Sequence, residues 1–178
     1  MEQRLKLFYV DQVGFSLALK PIKTWTPKGS GIQFEIPSRQ GSAGRLNLIG
    51  ALDFAAHKLF YRDLEGGCDA QKCEAFLDSL ADQADPEGLT VVVLDNARFH
   101  KAKNIKAKEP IWQEKGVFLR YLPPYSPQLN PIEAFWRVLK GFLLPRRLYT
   151  SLKNLKQAVF SVLTTLGAIS GWFQLGCT

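Results

Sequence analysis

The sequence predicts an α/β domain, a five-stranded mixed sheet with helices on both faces. Three observations predict it. "GLTVVVLD", residues 88–95, is apolar on both faces and β-branched, which fits the middle of a sheet covered on both sides. Three strand-like runs precede it, and helical and extended segments alternate after it, giving β-β-β-α-β-α-β-α-α. The 178 residues are 46% hydrophobic, enough for one core, so residues 1–178 read as a single domain.

The elements follow in order. "RLKLFYV" reads as a buried strand ending at Asp11, and "DQVGFSLAL" continues extended with a bend or bulge at Gly14. Residues 20–44, rich in Pro, Gly and Ser, form a long loop excursion. "RLNLIGALDF" and "HKLFYRDLE" are strands joined through Ala56 and His57, an antiparallel pair. Asp69 caps a helix over 70–84, whose apolar stripe is Cys73, Phe76, Leu77, Leu80 and Ala84. Residues 96–116 are basic and mostly helical, with a kink or break at Pro110. "VFLRYLP" is the last strand. "NPIEAFWRVLKGFLL" is a helix with Phe135, Val138, Leu139 and Phe142 toward the core, and Glu133, Trp136, Arg137 and Lys140 opposite. A final helix starts at Thr150 or Ser151 and buries Leu152, Leu155, Val159, Leu163 and Leu166. Residues 168–178 are a C-terminal tail whose order the pattern leaves open.

Charge narrows the partners. Lys and Arg number 23 against 16 Asp and Glu, a net +7, which favours a polyanion, nucleic acid first. Arg98, Lys101, Lys103, Lys106 and Lys108 make the densest basic run; a solvated helix face is the alternative. Lys23, Lys28 and Arg39, with Trp25 and Phe34, would let the long loop clasp DNA by phosphate contacts and stacking. Cys68, Cys73 and Cys177 have no metal-type spacing and read as reduced thiols. No apolar run suits a bilayer span and no signal peptide opens the chain, so a cytoplasmic location is expected.

The chemistry rests on three acids. Asp11 and Asp95 end expected strands, and Glu133 opens a helix behind the proline-rich "LPPYSPQLNP". If the first and fourth strands are neighbours, Asp11 and Asp95 converge, which is costly unless a cation neutralises them. Mg²⁺ suits a few carboxylates plus substrate phosphates, and a two-ion site is a means of phosphodiester chemistry. Each acid also has an ordinary role open to it. Asp11 suits a strand-end turn, Asp95 a turn or helix cap, and Asn130-x-x-Glu133 has the spacing of a capping box. His100 could contact DNA or metal-bound water, or simply pack at a helix start; His57 is assigned nothing.

"LFYVDQVGFSL", "TWTPKG", "VVVLDNARFHKAK" and "RYLPPYSPQLNPIEAFWRVLK" resemble the catalytic domain of IS630 family transposases, DDE enzymes related to the Tc1/mariner group. The resemblance covers about residues 5–145 and implies an RNase H-like fold. It implies Asp11, Asp95 and Glu133 as the catalytic, metal-binding triad, with Mg²⁺ or Mn²⁺, two ions per site. It further implies metal-dependent cleavage of DNA at transposon ends, strand transfer to target DNA at a TA dinucleotide, and a homodimer when active. Arg98, Lys101, Lys103, Arg137, Lys140 and Lys28 are the candidate DNA contacts. Gln12 stands where many members carry a second acid. Family members also carry helix-turn-helix segments ahead of the catalytic domain. The chain opens just before its first expected strand, so that region is expected either to lie on a separate reading frame or chain or to be missing because the chain is a fragment. The alternatives are a non-catalytic DNA-binding remnant of a mobile element, or another RNase H-like nuclease.

Overall fold

Residue alternation along one long strand organises the molecule. The computed structural model describes residues 5–17, 27–29, 44–85, 87–144, 149–170 and 173–176. Lys23, Trp25, Phe34, Arg39 and Cys177 lie outside them. The strands are β1 (Leu5–Ser16), β2 (Arg45–Asp53), β3 (Lys58–Asp63), β4 (Leu89–Leu94), β5 (Val117–Tyr121) and β6 (Phe173–Gly176). Their order across the sheet is β5-β4-β1-β2-β3-β6. β1 pairs antiparallel with β2 and parallel with β4, so the sheet is mixed as expected. The five expected strands all form. A short sixth, β6, lies within the expected tail and adds to the edge beside β3.

The helices are α1 (Ala70–Ala81), α2 (Lys103–Glu114), α3 (Pro131–Val138) and α4 (Leu152–Ser170). Phe8 and Val10 of β1 bury with Val92, Leu94 and the apolar sides of α1 and α2. Val13 and Phe15 bury on the other face with Ile132, Trp136 and Leu139, and with Leu155, Val159 and Leu163 of α4. Each face is therefore a separate apolar layer, as period-2 alternation on a doubly covered sheet requires. Asp69 caps α1, its carboxylate accepting the Lys72 N–H at 2.8 Å. Among the described residues no helix is long and apolar enough to cross a membrane.

Several expectations are corrected. β1 does not end at Asp11; its pairing with β2 runs unbroken to Ser16↔Arg45, so Gly14 marks no bulge. A Cβ at Gly14 would lie 2.1 Å from the Arg45 guanidinium, so the glycine leaves room for that side chain to cross the strand. Pro110 sits inside a continuous α2; the break falls earlier, at extended Ala102, after a 3-10 turn over Arg98–Lys101. On α3 the buried stripe is Ile132, Trp136 and Leu139, while Val138 is 44% exposed. Both stripes have helical spacing. Gly50 on β2 decides between them, because its missing Cβ is where the Trp136 ring lies, 2.6 Å away. Beyond Val138 the helix widens into a π turn, Leu139–Leu143.

Candidate active site

Strand register brings the first two acids together. The parallel pairing of β1 and β4 closes at Tyr9↔Val93. Two positions further along the chain from each member of that pair stand Asp11, still in β1, and Asp95, just past the end of β4, near enough that the Asp95 charge acts on Asp11. Alternation turns Asp11 away from Phe8 and Val10, toward the face that carries α3, and Asp95 shares a cleft with Glu133 of α3. Asp11 is thus interior to β1 but lies beyond the end of β4, where the sheet opens.

Glu133 completes the group. It occupies the first turn of α3 and borders two clefts. One, about 340 Å³, also holds Asp11, Gln12, Arg137 and Lys140. The other, about 390 Å³, also holds Asp95 and the loop Leu122–Pro127. The capping box at Asn130 does not form, since the Asn130 side chain makes no cap hydrogen bond. Its Nδ2 donates instead to the Val10 carbonyl at 3.3 Å, tying the start of α3 to the residue before Asp11. Trp136, one turn on, fills the space over Gly50, and Gly50 is the β2 partner of Asp11. One attachment to β1 and one to its neighbour β2 therefore hold the Glu133 turn beside Asp11.

His100 is the surprise of the site. It is 1% exposed, and its Nδ1 lies 2.6 Å from Asp95 Oδ1. The Ala97 N–H donates to the same oxygen at 2.9 Å. Tyr121 O–H donates to the His100 carbonyl at 2.9 Å, and Phe99 packs edge-on against the ring. One Asp95 oxygen is thereby engaged, which orients the other. Asn96 Nδ2 donates to the Leu122 carbonyl at 2.6 Å and fixes the proline loop beside Asp95.

The electrostatics differ between the two aspartates. The His100 hydrogen bond, opposed by burial, holds the Asp95 carboxyl below its ordinary range. Burial pushes the Asp11 carboxyl up to about 7; a Gln12 backbone hydrogen bond opposes this, and Glu133 and Asp95 raise it further. Among the described residues no three acidic, His or Cys groups stand close enough to hold a metal as they are. The donor chemistry nonetheless fits a hard divalent cation. A half-buried carboxyl repelled by two others gains most from a cation between them.

Of the candidate DNA contacts, Arg137 and Lys140 line the Asp11 cleft. Arg98, Lys101 and Lys103 are exposed beyond Asp95. The Lys101 Nζ donates to Asn96 Oδ1 at 2.5 Å and lies 5.2 Å from the Tyr121 ring centroid. Lys108 belongs elsewhere, at 3.2 Å from Asp78 and 3.7 Å from Glu74. Lys28 is exposed in the turn 27–29, and no described contact joins it to the acids. Asn130, Gly50 and Trp136 escaped sequence reasoning; the first looked like a cap and the third like a surface residue.

Fold and site together define the class, an RNase H-like α/β domain with acidic residues gathered where two parallel strands end. The family of DDE superfamily endonucleases matches residues 6–156, and the chain belongs to it. Its fold matches that of the Mos1 transposase paired-end complex with left transposon end at a TM-score of 0.64 and 17% identity, covering 87% of this chain and 46% of that one. The Mos1 mariner paired-end complex with Mn gives 0.64 and 16%, covering 91% and 52%. A simian T-cell lymphotropic virus intasome gives 0.59 and 12%, covering 92% and 49%. Among curated proteins, the uncharacterized protein y4pE/y4sA of Sinorhizobium fredii (strain NBRC 101917 / NGR234) is 28% identical over 82 residues, 46% of this chain and 56% of that protein. The chain thus spans about half the length of the relatives it matches.

Proposed function

We propose that this chain is the catalytic domain of a cut-and-paste DNA transposase of the IS630 type, related to Tc1/mariner. The observation that carries the reading is that Asp11 and Asp95 each stand two residues past the last β1–β4 pair, Tyr9↔Val93, with Glu133 bordering the clefts of both. Asp11 and Asp95 would jointly hold the cations, Mg²⁺ or Mn²⁺, and Glu133 would complete the second site. Bound there, the ions would supply charge neutralisation at the attacking and leaving oxygens of a phosphodiester.

In the first reaction a water oxygen forms a bond to phosphorus at the transposon end. The bond to the 3′ oxygen breaks, leaving a 3′-hydroxyl and a 5′-phosphate. In the second, that hydroxyl attacks a target phosphodiester and the target's own 3′ oxygen departs. His100 keeps one oxygen of Asp95 fixed throughout. Arg137 and Lys140 draw the phosphate backbone to the Asp11 cleft. The two-ended reaction calls for a homodimer, sequence recognition calls for a separate DNA-binding segment or chain, and the work would be done on DNA in the cytoplasm.

The test is DNA nicking by purified protein. Wild type should nick with Mn²⁺ or Mg²⁺, and Ca²⁺ should support binding alone. Asp95→Asn should abolish nicking and leave DNA affinity equal or higher, because Asn keeps the shape but not the charge that holds the cation. Asp82→Asn, on the far face, loses only an exposed pair with Lys115 and is the control. Equal nicking by wild type and Asp95→Asn would overturn the reading. A wild type inactive even with DNA-binding segments supplied in trans would favour the remnant.

A further inference from the structure

The cleft of about 390 Å³ between Asp95, Glu133 and the proline loop has two unlike walls. One carries the carboxylates. The other is the loop Leu122–Pro127, apolar apart from Ser126. At its rim Tyr125 is fully exposed, at 101%, the most exposed large apolar side chain among the described residues. Its backbone is left-handed, φ +55°, a conformation that bulky residues seldom adopt. The loop holding it is not slack. Leu122 N–H donates to the Leu94 carbonyl at 2.9 Å, Asn96 Nδ2 to the Leu122 carbonyl at 2.6 Å, and Ser126 Oγ to the Pro124 carbonyl at 3.2 Å. Prolines on both sides fix φ. A rigid loop therefore carries a ring outward, at a conformational cost, next to the acids; such outliers point toward function.

We propose that Tyr125 and the surrounding prolines form a seat for one unpaired base of the DNA strand whose phosphate lies at the carboxylates. The proposal rests on the transposase reading and deepens it. The cleft is of a size that takes one small-molecule-sized group, and its division matches a nucleotide. The acidic wall accepts a phosphate once a cation lies between them. The uncharged base finds the apolar wall, where any base can stack because each has a π-face. A fully paired duplex covers those faces with neighbouring bases, so the seat selects an unpaired one. The seat thus favours a frayed or overhanging end without reading its sequence.

The experiment uses the full chain in Ca²⁺, with duplex DNA that ends in one unpaired 2-aminopurine and the same duplex fully paired. Wild type should quench the unpaired 2-aminopurine and bind that DNA roughly tenfold more tightly than the paired one. Tyr125→Ala should lose both the quenching and the preference, while Tyr125→Phe and Tyr125→Trp keep them. Affinity for paired duplex should not change. Tyr125→Gly, which relieves the backbone, is the second variant; it should behave as Tyr125→Ala. A preference and quenching that survive in Tyr125→Ala or Tyr125→Gly, or that vanish equally in Tyr125→Phe, overturn the seat. So does a wild type with no preference, which would leave the ring to a protein partner or to solvent. The parent reading fails separately. No nicking by wild type with DNA-binding segments supplied, but intact quenching, removes the transposase and leaves the seat; nicking with no preference does the reverse.

Discussion

Two regions of the molecule treat carboxylates in opposite ways, the α1–α2 seam and the strand ends that carry Asp11 and Asp95. On the α1–α2 face acids meet donors. Asp78 accepts from Lys108 and, at 2.9 Å, from the Trp112 indole; Glu74 accepts from Asn104 at 2.6 Å; Asp82 pairs with Lys115. These contacts join the two helices across their polar sides. On the α3 face Lys156 of α4 pairs with Asp63, while at the strand ends burial, Glu133 and Asp95 all disfavour the Asp11 anion, Lys140 opposes them, and Asp95 is held by a histidine. Among the described residues four buried side chains have polar atoms without partners: Thr90, His100, Asn130 and Trp136. Three of these four are the residues that position Asp95, β1 and α3. The same residue types join α1 to α2 and leave the strand-end carboxylates electrostatically frustrated, and frustration of that kind is what a cation and a polyanion can relieve.

The largest effect should separate the two regions outright. Asp11→Asn should reduce nicking to background, yet raise the Tm of the metal-free protein, because it removes a half-buried carboxyl that burial, Glu133 and Asp95 all disfavour as an anion. The stabilisation that Ca²⁺ gives wild type should vanish with it. Asp78→Ala should do the opposite. It leaves the buried Trp112 N–H unpaired and should cost about 1–3 kcal/mol of stability, with nicking per folded molecule unchanged. Calorimetry and a nicking assay on the same samples decide. Both variants moving Tm the same way would erase the contrast.

Next comes His100. His100→Ala frees an Asp95 oxygen and should weaken Ca²⁺ or Mn²⁺ binding and nicking by roughly 10–100-fold. His100→Asn, which can still offer a donor, should recover part of both. Metal titration followed by thermal shift separates this from mere unfolding. Equal loss in the two variants would mean that His100 only fills space.

Gly50→Ala should act through packing. Its Cβ would lie 2.6 Å from the Trp136 ring, so α3 must shift; the expected cost is about 1–3 kcal/mol. Because Trp136 sits one turn from Glu133, nicking should fall further than stability alone explains. Trp136→Phe in the same background should restore part of each, read by denaturant melts and nicking. An unchanged Gly50→Ala would show that the α3 anchor is not the indole.

The fold was legible because its signals are local. The apolar run 88–95, the Asp69 cap and the turn at His57 each act within a few residues, and each appears where expected. The three acids were legible from their places near element ends and from the resemblance of the surrounding motifs. What escaped depends on residues far apart in sequence. Asn130 has a cap's spacing, but its bond goes to Val10, 120 residues away. Trp136 reads as a surface residue until Gly50 is seen beneath it. His100 shares a short motif with Asp95, yet only the packing of Phe99 and Tyr121 around it turns proximity into a fixed hydrogen bond. Asp11 was read as a strand end because the acid interrupts an apolar run; pairing with β2 carries the strand through it.

The smallest effects concern the lysines and arginines, and here too the two regions should differ. Arg137 borders the Asp11 cleft and is exposed. Each phosphate it neutralises releases counterions, so Arg137→Ala should weaken duplex binding about equally for all sequences and make the salt dependence shallower by about one. Lys108→Ala removes the same charge from the chain, but that ammonium already faces Asp78 and Glu74 at the α1–α2 seam. Its loss should leave the salt slope unchanged and cost a little stability. Net charge alone cannot tell the two apart, since both variants drop from +7 to about +6. Binding isotherms at several salt concentrations can. Parallel losses would mean that DNA answers to the overall charge of the domain, whereas a slope that moves only with Arg137 locates the DNA at the cleft that holds Asp11 and Glu133.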